Sequence, residues 1–267
     1  MPPICNGHAS LCDRPVDEVR FAATHNSMSS AERGWLFPNQ NLAIPGQLDA
    51  GIRGLNIDLW TGEDGELLFC HSYCSLGQQD MVEGFTEINT WLDTNPQEVL
   101  LLTFESYVAE ADVVWALEQA GLAHRAHSQA VGATWPSLED LLDAGTPVAI
   151  FSSDATGDVS WHMPQWDHWV ETPYGHQSLS DLGNTDESCT IARGEASTAT
   201  LFGVNHFMTA PLASAEDAAL VNEADPMAER VAACEQAVGH KANQVLVDFF
   251  DLGGVLEIVE TLNLSGN

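Results

Sequence analysis

Short apolar runs recur along the chain, each ending in a polar cluster, and most lead into a stretch with apolar positions at helical spacing. The runs fall at 19–23, 52–59, 67–69, 99–104, 148–151, 168–170, 201–204 and 244–250, the sixth being the weakest. The helical patterns fall at 80–92, 111–120, 137–142, 214–233 and 255–262. The alternation of these runs with amphipathic stretches predicts parallel strands covered by helices. Eight strands in a chain of 267 residues predict an α/β fold, a single TIM-type (β/α)8 barrel with room for irregularity or distortion. An open doubly wound sheet is the competing architecture. No internal repeat, low-complexity tract or Gly/Ser linker interrupts the pattern, so one domain is expected over 1–267, with 1–18 as an N-terminal segment.

In a barrel, residues at the C-terminal ends of the strands converge on one rim, where such folds carry their chemistry. His25 and Asn26 follow the first run, Asn56 and Asp58 end the second, His71 ends the third and Glu105 the fourth. Asp154 and Glu171 follow the fifth and sixth, Asn205 and His206 close the seventh, and Asp248 lies near the end of the eighth. Asn56 and Asp58 are two apart on a strand and share a face, while Leu55, Ile57 and Leu59 point to the helix layer. With Asn26 and Glu105 they offer four oxygen donors from three strands. Carboxylates mixed with side-chain amides suit a hard cation, Ca2+ ahead of Mg2+; a hydrogen-bonded polar layer in the core is the plainer alternative. His25 and His71 over one pocket can act as base and acid, because imidazole titrates near neutrality. Such a set suits displacement at a phosphodiester: one group deprotonates the attacking hydroxyl, the cation stabilises developing charge, and the other group protonates the leaving oxygen.

Composition narrows the range of partners. Asp and Glu number 39 against 8 Lys and Arg, a formal net charge of −31, and Lys241 is the only lysine. No basic patch exists to displace counterions from phosphates, which excludes nucleic acid, and an anionic membrane is disfavoured for the same reason. The charge reads as a solubility surface and is compatible with high salt, where screening removes self-repulsion. No window of eighteen uncharged apolar residues occurs, so no membrane span is expected. Six cysteines, two pairs of them very close, read as three disulfides: Cys5–Cys12, Cys70–Cys74 and Cys189–Cys234. A zinc site is the rival use, but no second compact pair follows at ribbon distance. Disulfides imply an oxidising compartment, so secretion is expected, with a signal peptide already removed because the start has neither a basic nor an apolar leader. No obligate protein partner is evident.

Other features weigh less. "WHMPQWDHW" (161–169) gathers three tryptophans and two histidines; it reads as an interfacial loop, a lid or a packed aromatic cluster, with packing favoured. His162, His168, His176 and His206 are compatible with a second metal site that their spacing does not demand. "CNGHASLC" reads as a disulfide-pinned loop covering the barrel.

Four segments in order, "THNSMS", "QLDAGIRGLNIDLWTG", "LLFCHSYCSLG" and "NPQEVLLLTFES", resemble the X region of phosphatidylinositol-specific phospholipase C, the best match covering 19–105. "WPSLEDLL", "FGVNHF" and "NQVLVDFF" extend a looser resemblance to nearly the whole chain, towards secreted, cysteine-containing phospholipase C-like phosphodiesterases. The resemblance implies a TIM-type barrel. It also implies that His25 is the first catalytic histidine, that His71 is the general acid, and that Asn26, Asp58 and Glu105 are calcium ligands of the metal-dependent branch. Asp58 stands where the metal-independent bacterial branch has an arginine in place of the cation. Asn56 departs from the family, whose animal members carry a glutamate there. An amide can ligate but cannot act as a base, which implies weaker metal binding and a larger share for His25. Asp248 matches loosely and is expected to hold a histidine, and Asn205 to take a supporting or substrate role.

The reaction so implied is attack of the inositol 2-hydroxyl on the adjacent phosphorus, releasing diacylglycerol and a cyclic inositol phosphate. It needs a phospholipid or inositol-phosphodiester substrate and transient contact with a membrane surface. No lysine or arginine is securely placed near the rim for a phosphorylated headgroup, and Arg53 reads as structural, so an unphosphorylated inositol ring is compatible. A related barrel phosphodiesterase acting on lysophospholipids or glycerophosphodiesters, and an inactive ligand-binding barrel, are the alternatives.

Overall fold

Eight parallel strands form the frame of the computed structural model, which describes residues 3–209 and 212–265. Met1 and Pro2 of the expected N-terminal segment, and residues 266–267 of the expected domain, lie outside the described residues. The strands are β1 (Phe21–Thr24), β2 (Gly54–Thr61), β3 (Leu100–Ser106), β4 (Val148–Ser152), β5 (His162–Pro164), β6 (Trp169–Glu171), β7 (Leu201–Asn205) and β8 (Gln244–Val247). They pair in the order β5-β4-β3-β2-β1-β8-β7-β6, so the first strand meets the last and the sheet curls into a barrel. Among the described residues no ladder joins β5 to β6. Only the one-turn helix Gln165–His168 links them, whereas a parallel neighbour needs a return crossover of about a dozen residues. The barrel is therefore the distorted form of the expected fold, split along this seam.

Three expectations change. The run at 67–69 is not a barrel strand: Leu67–Phe69 folds back antiparallel on β2, with Leu59 opposite Phe69 and Thr61 opposite Leu67. The missing barrel strand, β5, lies inside "WHMPQWDHW", where three residues ending in proline give no apolar run. The expected helix at 214–233 is two helices, Ala215–Val221 and Ala224–Val238. Pro226 fits only in the first turn of a helix, and Asn222 between the two turns its amide to the carbonyl of Asp248 at 2.8 Å.

The core has two layers. Leu55, Ile57 and Leu59 of β2 pack outwards against Phe85, Ile88 and Leu92 of helix Met81–Thr94. Asp80 caps that helix by accepting from the backbone N–H of Glu83. Gly84 is required there, because a Cβ would stand 2.1 Å from the Phe69 ring; this close approach seats the strand that leads to His71. Inside the barrel, Phe21, Leu101, Phe151, Trp169 and Leu201 pack with Cys5, Leu11 and Cys12. Asn6 bonds the carbonyl of Val99, just before β3, at 3.1 Å. The segment pinned by Cys5–Cys12 thus closes the N-terminal end of the barrel and leaves the opposite rim open. All three expected disulfides are formed, with Cα atoms 5.1, 5.1 and 4.6 Å apart.

Candidate active site

The chain turns immediately after β1. Asn26 takes a φ of +47°, a left-handed conformation that asparagine tolerates better than most residues. Gln47 fixes the turn: its Oε1 accepts from Thr24 Oγ1 and its Nε2 donates to the Ser27 carbonyl, both at 2.7 Å. His25 is thereby held in the mouth, its Nδ1 2.9 Å from Asp248 Oδ1 and its ring stacked on Phe207 with centroids 3.8 Å apart. Asn39 donates to the same Asp248 oxygen at 3.0 Å. The fixed carboxylate keeps the imidazole proton on Nδ1 and leaves Nε2 as the acceptor.

The register of β2 on β3 sets Asp58 opposite Glu105 and Asn56 opposite Thr103. Asp58 is 4% exposed. Burial, then the charge of Glu105, pushes its carboxyl pKa well above the ordinary range, with Arg193 pulling the other way. Asn26 Nδ2 is buried without an acceptor, and Asn56 Oδ1 accepts from the Asn26 backbone N–H at 3.3 Å. Glu105 accepts from the Tyr107 hydroxyl. A desolvated carboxylate beside a second one is an arrangement that a cation relieves, and carboxylate and amide oxygens fit Ca2+. Asp58 and Glu105 are the carboxylates that stand opposite each other here. Among the described residues no three His, Cys, Asp or Glu side chains gather as a metal cluster, so amide oxygens of Asn26 and Asn56 are needed to complete a set.

His71 approaches from the other side. The strand Leu67–Phe69, the Cys70–Cys74 bridge and Ser72 at φ +58° hold it at the exposed lip. Desolvation by the surrounding protein, then the charge of His25, lowers its imidazole pKa, opposed by Glu105 and Asp248. His25, Asn26, Asp58, His71 and Glu105 all line one cavity of about 560 Å³. Asn56 and Asn205 lie deeper, in a smaller polar chamber that His25 and Glu105 also border; Asn205 donates to the Thr172 carbonyl at 2.8 Å.

The row of strand-end polar residues divides here. Asp154 accepts from Ser152 at 3.0 Å and lines neither space. His206 turns away, bonded to the Val221 carbonyl at 2.9 Å and to Arg230 at 3.3 Å. His162 meets Glu110 at 3.1 Å. Arg53 is structural, bonded to Glu98 at 2.7 Å and lying 4.9 Å from the Trp91 ring centre.

Arg193 corrects the expectation that no arginine is placed at the rim. The short strand Arg193–Gly194 pairs antiparallel with β6, Arg193 opposite Glu171. Gly194 has φ +96°, and a Cβ there would stand 1.9 Å from the Trp169 carbonyl oxygen, so only glycine allows the approach. The guanidinium donates through Nε to Glu171, lies 4.0 Å from Glu105 Oε2, and sits over Trp166 and Tyr174 at 4.8 and 4.3 Å. Glu171 stood among the strand-end residues, but its partner comes from a segment with no apolar run to mark it.

A parallel barrel with two histidines and paired carboxylates at its C-terminal rim defines a phospholipase C-like barrel. The family model described as PI-PLC X 1 matches residues 11–263, and the chain belongs to that family. It is 28% identical to PI-PLC X domain-containing protein 1 of Arthroderma benhamiae, over 97% of this chain and 89% of the relative. It is 27% identical to PI-PLC X domain-containing protein At5g67130 of Arabidopsis thaliana, over 93% of this chain and 62% of that protein. A solved structure of the phosphatidylinositol-specific phospholipase C of Staphylococcus aureus superposes with a TM-score of 0.62 over 94% of both chains at 12% identity, a likeness of fold.

Proposed function

We propose that the chain is a calcium-dependent phosphodiesterase that cleaves phosphatidylinositol to diacylglycerol and a cyclic inositol phosphate. What carries the reading is the convergence of His25, His71, Asp58 and Glu105 on one cavity, with Asp248 on the far nitrogen of His25. His25 Nε2 takes the proton of the inositol 2-hydroxyl as that oxygen attacks phosphorus, and Asp248 stabilises the imidazolium that forms. His71 gives its proton to the departing diacylglycerol oxygen. Asn26, Asn56, Asp58 and Glu105 would hold the calcium ion, whose charge would stabilise the negative charge developing on the phosphate oxygens.

Leu36, Phe37, Tyr73, Tyr107, Tyr174 and Leu212 all line the cavity and are each at least 47% exposed. An apolar collar around a polar site supports transient seating on a lipid surface, and the net charge of −31 favours a neutral or zwitterionic one. Three disulfides and the absence of a free cysteine among the described residues support secretion into an oxidising compartment.

Product analysis tests the reading. Cyclic inositol phosphate released from phosphatidylinositol supports it, and release of glycerol phosphate from a glycerophosphodiester in its place moves the activity to that substrate class. His25→Ala and His71→Ala are each expected to lose about 10²–10⁴-fold in kcat; turnover unchanged by both would refute catalysis at this site.

A further inference from the structure

We infer that Arg193 is an internal counter-cation of the proposed calcium site, held where its charge competes with the ion for Glu105 and so limits how tightly the ion binds. The inference rests on the calcium reading above for its ligand, and on a separate set of contacts for its geometry. The guanidinium is shared between two carboxylates. Its Nε is bonded to Glu171 while Nη1 stands 4.0 Å from Glu105 Oε2. Its charge also acts on Asp58. Glu105 of β3 and Glu171 of β6 thus both contact one positive charge, whose field also reaches Asp58 of β2.

Arg193 is not a mobile surface side chain that happens to fall here. Trp166 and Tyr174 both lie under the guanidinium, and stacking on aromatic faces favours a fixed guanidinium. The backbone is equally fixed: the Ala192 N–H donates to the Glu171 carbonyl at 2.9 Å, and Gly194 permits contact with the Trp169 carbonyl that no other residue would. The affinity of an oxygen-donor calcium site depends on the charge gathered around it. A guanidinium within reach of one proposed ligand subtracts from that charge. In the absence of the ion, the same group offsets the repulsion between Asp58 and Glu105. A purely structural role, clamping the short strand to β6, makes a different forecast: removal would disturb the fold or leave metal affinity unchanged, not raise it.

The test is calorimetric titration of calcium chloride into metal-free protein without lipid, comparing wild type, Arg193→Gln and Arg193→Lys. Arg193→Gln is expected to bind calcium about tenfold more tightly, a gain of about 1.4 kcal/mol, and the gain is expected to shrink at high salt. Arg193→Lys keeps the charge and is expected to stay near wild type. Should Arg193→Gln fail to fold, Arg193→Met retains the packing against Trp166 and Tyr174 and carries the same expectation. If wild type binds calcium and the uncharged variant binds it equally or more weakly, the counter-cation role is wrong while the calcium reading stands. An Arg193→Lys protein that behaves like Arg193→Gln also overturns it, since charge would then not be the cause. If no form binds calcium, both fall.

Discussion

The Asp58 carboxyl sits where water has been removed and Glu105 stands beside it. The folded protein therefore holds the Asp58 proton to a higher pH than the unfolded chain, whose carboxyl has the ordinary value of 3.8. Below that pH, wild type and Asp58→Asn should be equally stable. As pH rises above it, the unfolded wild-type chain ionises first, so wild type loses stability that the variant keeps. At neutral pH, Asp58→Asn is therefore expected to be more stable than wild type in the metal-free state. Denaturant unfolding at several pH values measures this, and equal stability throughout would mean that the charge is already compensated. Asp248→Asn should lower kcat by about 10²-fold or more with KM little changed, because the imidazolium formed on His25 loses the carboxylate charge that stabilises it. An unchanged kcat would remove Asp248 from the account. Both residues were legible in the sequence as polar groups at strand ends. Arg193 was not, because a hairpin on β6 carries it to the rim and hairpin position leaves no periodic trace.

At the scale of elements, the placement of His71 depends on a three-residue strand and a small disulfide loop rather than on the barrel itself. Its apolar run looked like any other run, and only the pairing partner shows that it turns back antiparallel on β2. A loop closed by Cys70–Cys74 constrains the unfolded chain weakly. Replacing both cysteines by serine should therefore lower kcat several-fold with only a small change in Tm; a large drop in Tm with kcat preserved would contradict this positioning role. β5 escaped notice for the opposite reason: His162, Met163 and Pro164 are too few and too mixed to form a run. His162 gives this seam a pH signature. It is fully buried, and desolvation holds its imidazole pKa below the ordinary 6.5 although Glu110 pulls it up. Above pH 6.5 both states are neutral there. As pH falls below that value the unfolded chain takes the proton first, so stability declines towards the folded pKa by at most about 1.4 kcal/mol for each step of one in pH. His162→Gln should make the decline shallower; an identical slope would rule His162 out as its source.

The whole molecule combines a barrel open at one end with a surface of strong negative charge. Its alternating pattern made the fold class readable from end to end, while the split between β5 and β6 arises from a linker too short for strand return. With a net charge of −31, self-repulsion is screened once the Debye length falls to about 10 Å near 0.1 M salt, so Tm should rise as sodium chloride is added; a flat response would mean that the charges are already locally paired. The central claim, that two imidazoles and a set of oxygen donors act around one ion, is tested most directly by following the phosphorus NMR spectrum of phosphatidylinositol vesicles during turnover. With calcium present, the five-membered cyclic phosphate resonance is expected to grow, to stop growing on chelation and to resume when calcium is restored. Growth at the same rate through chelation would contradict the assignment of Asp58 and Glu105 as ligands and, with it, the account of the site.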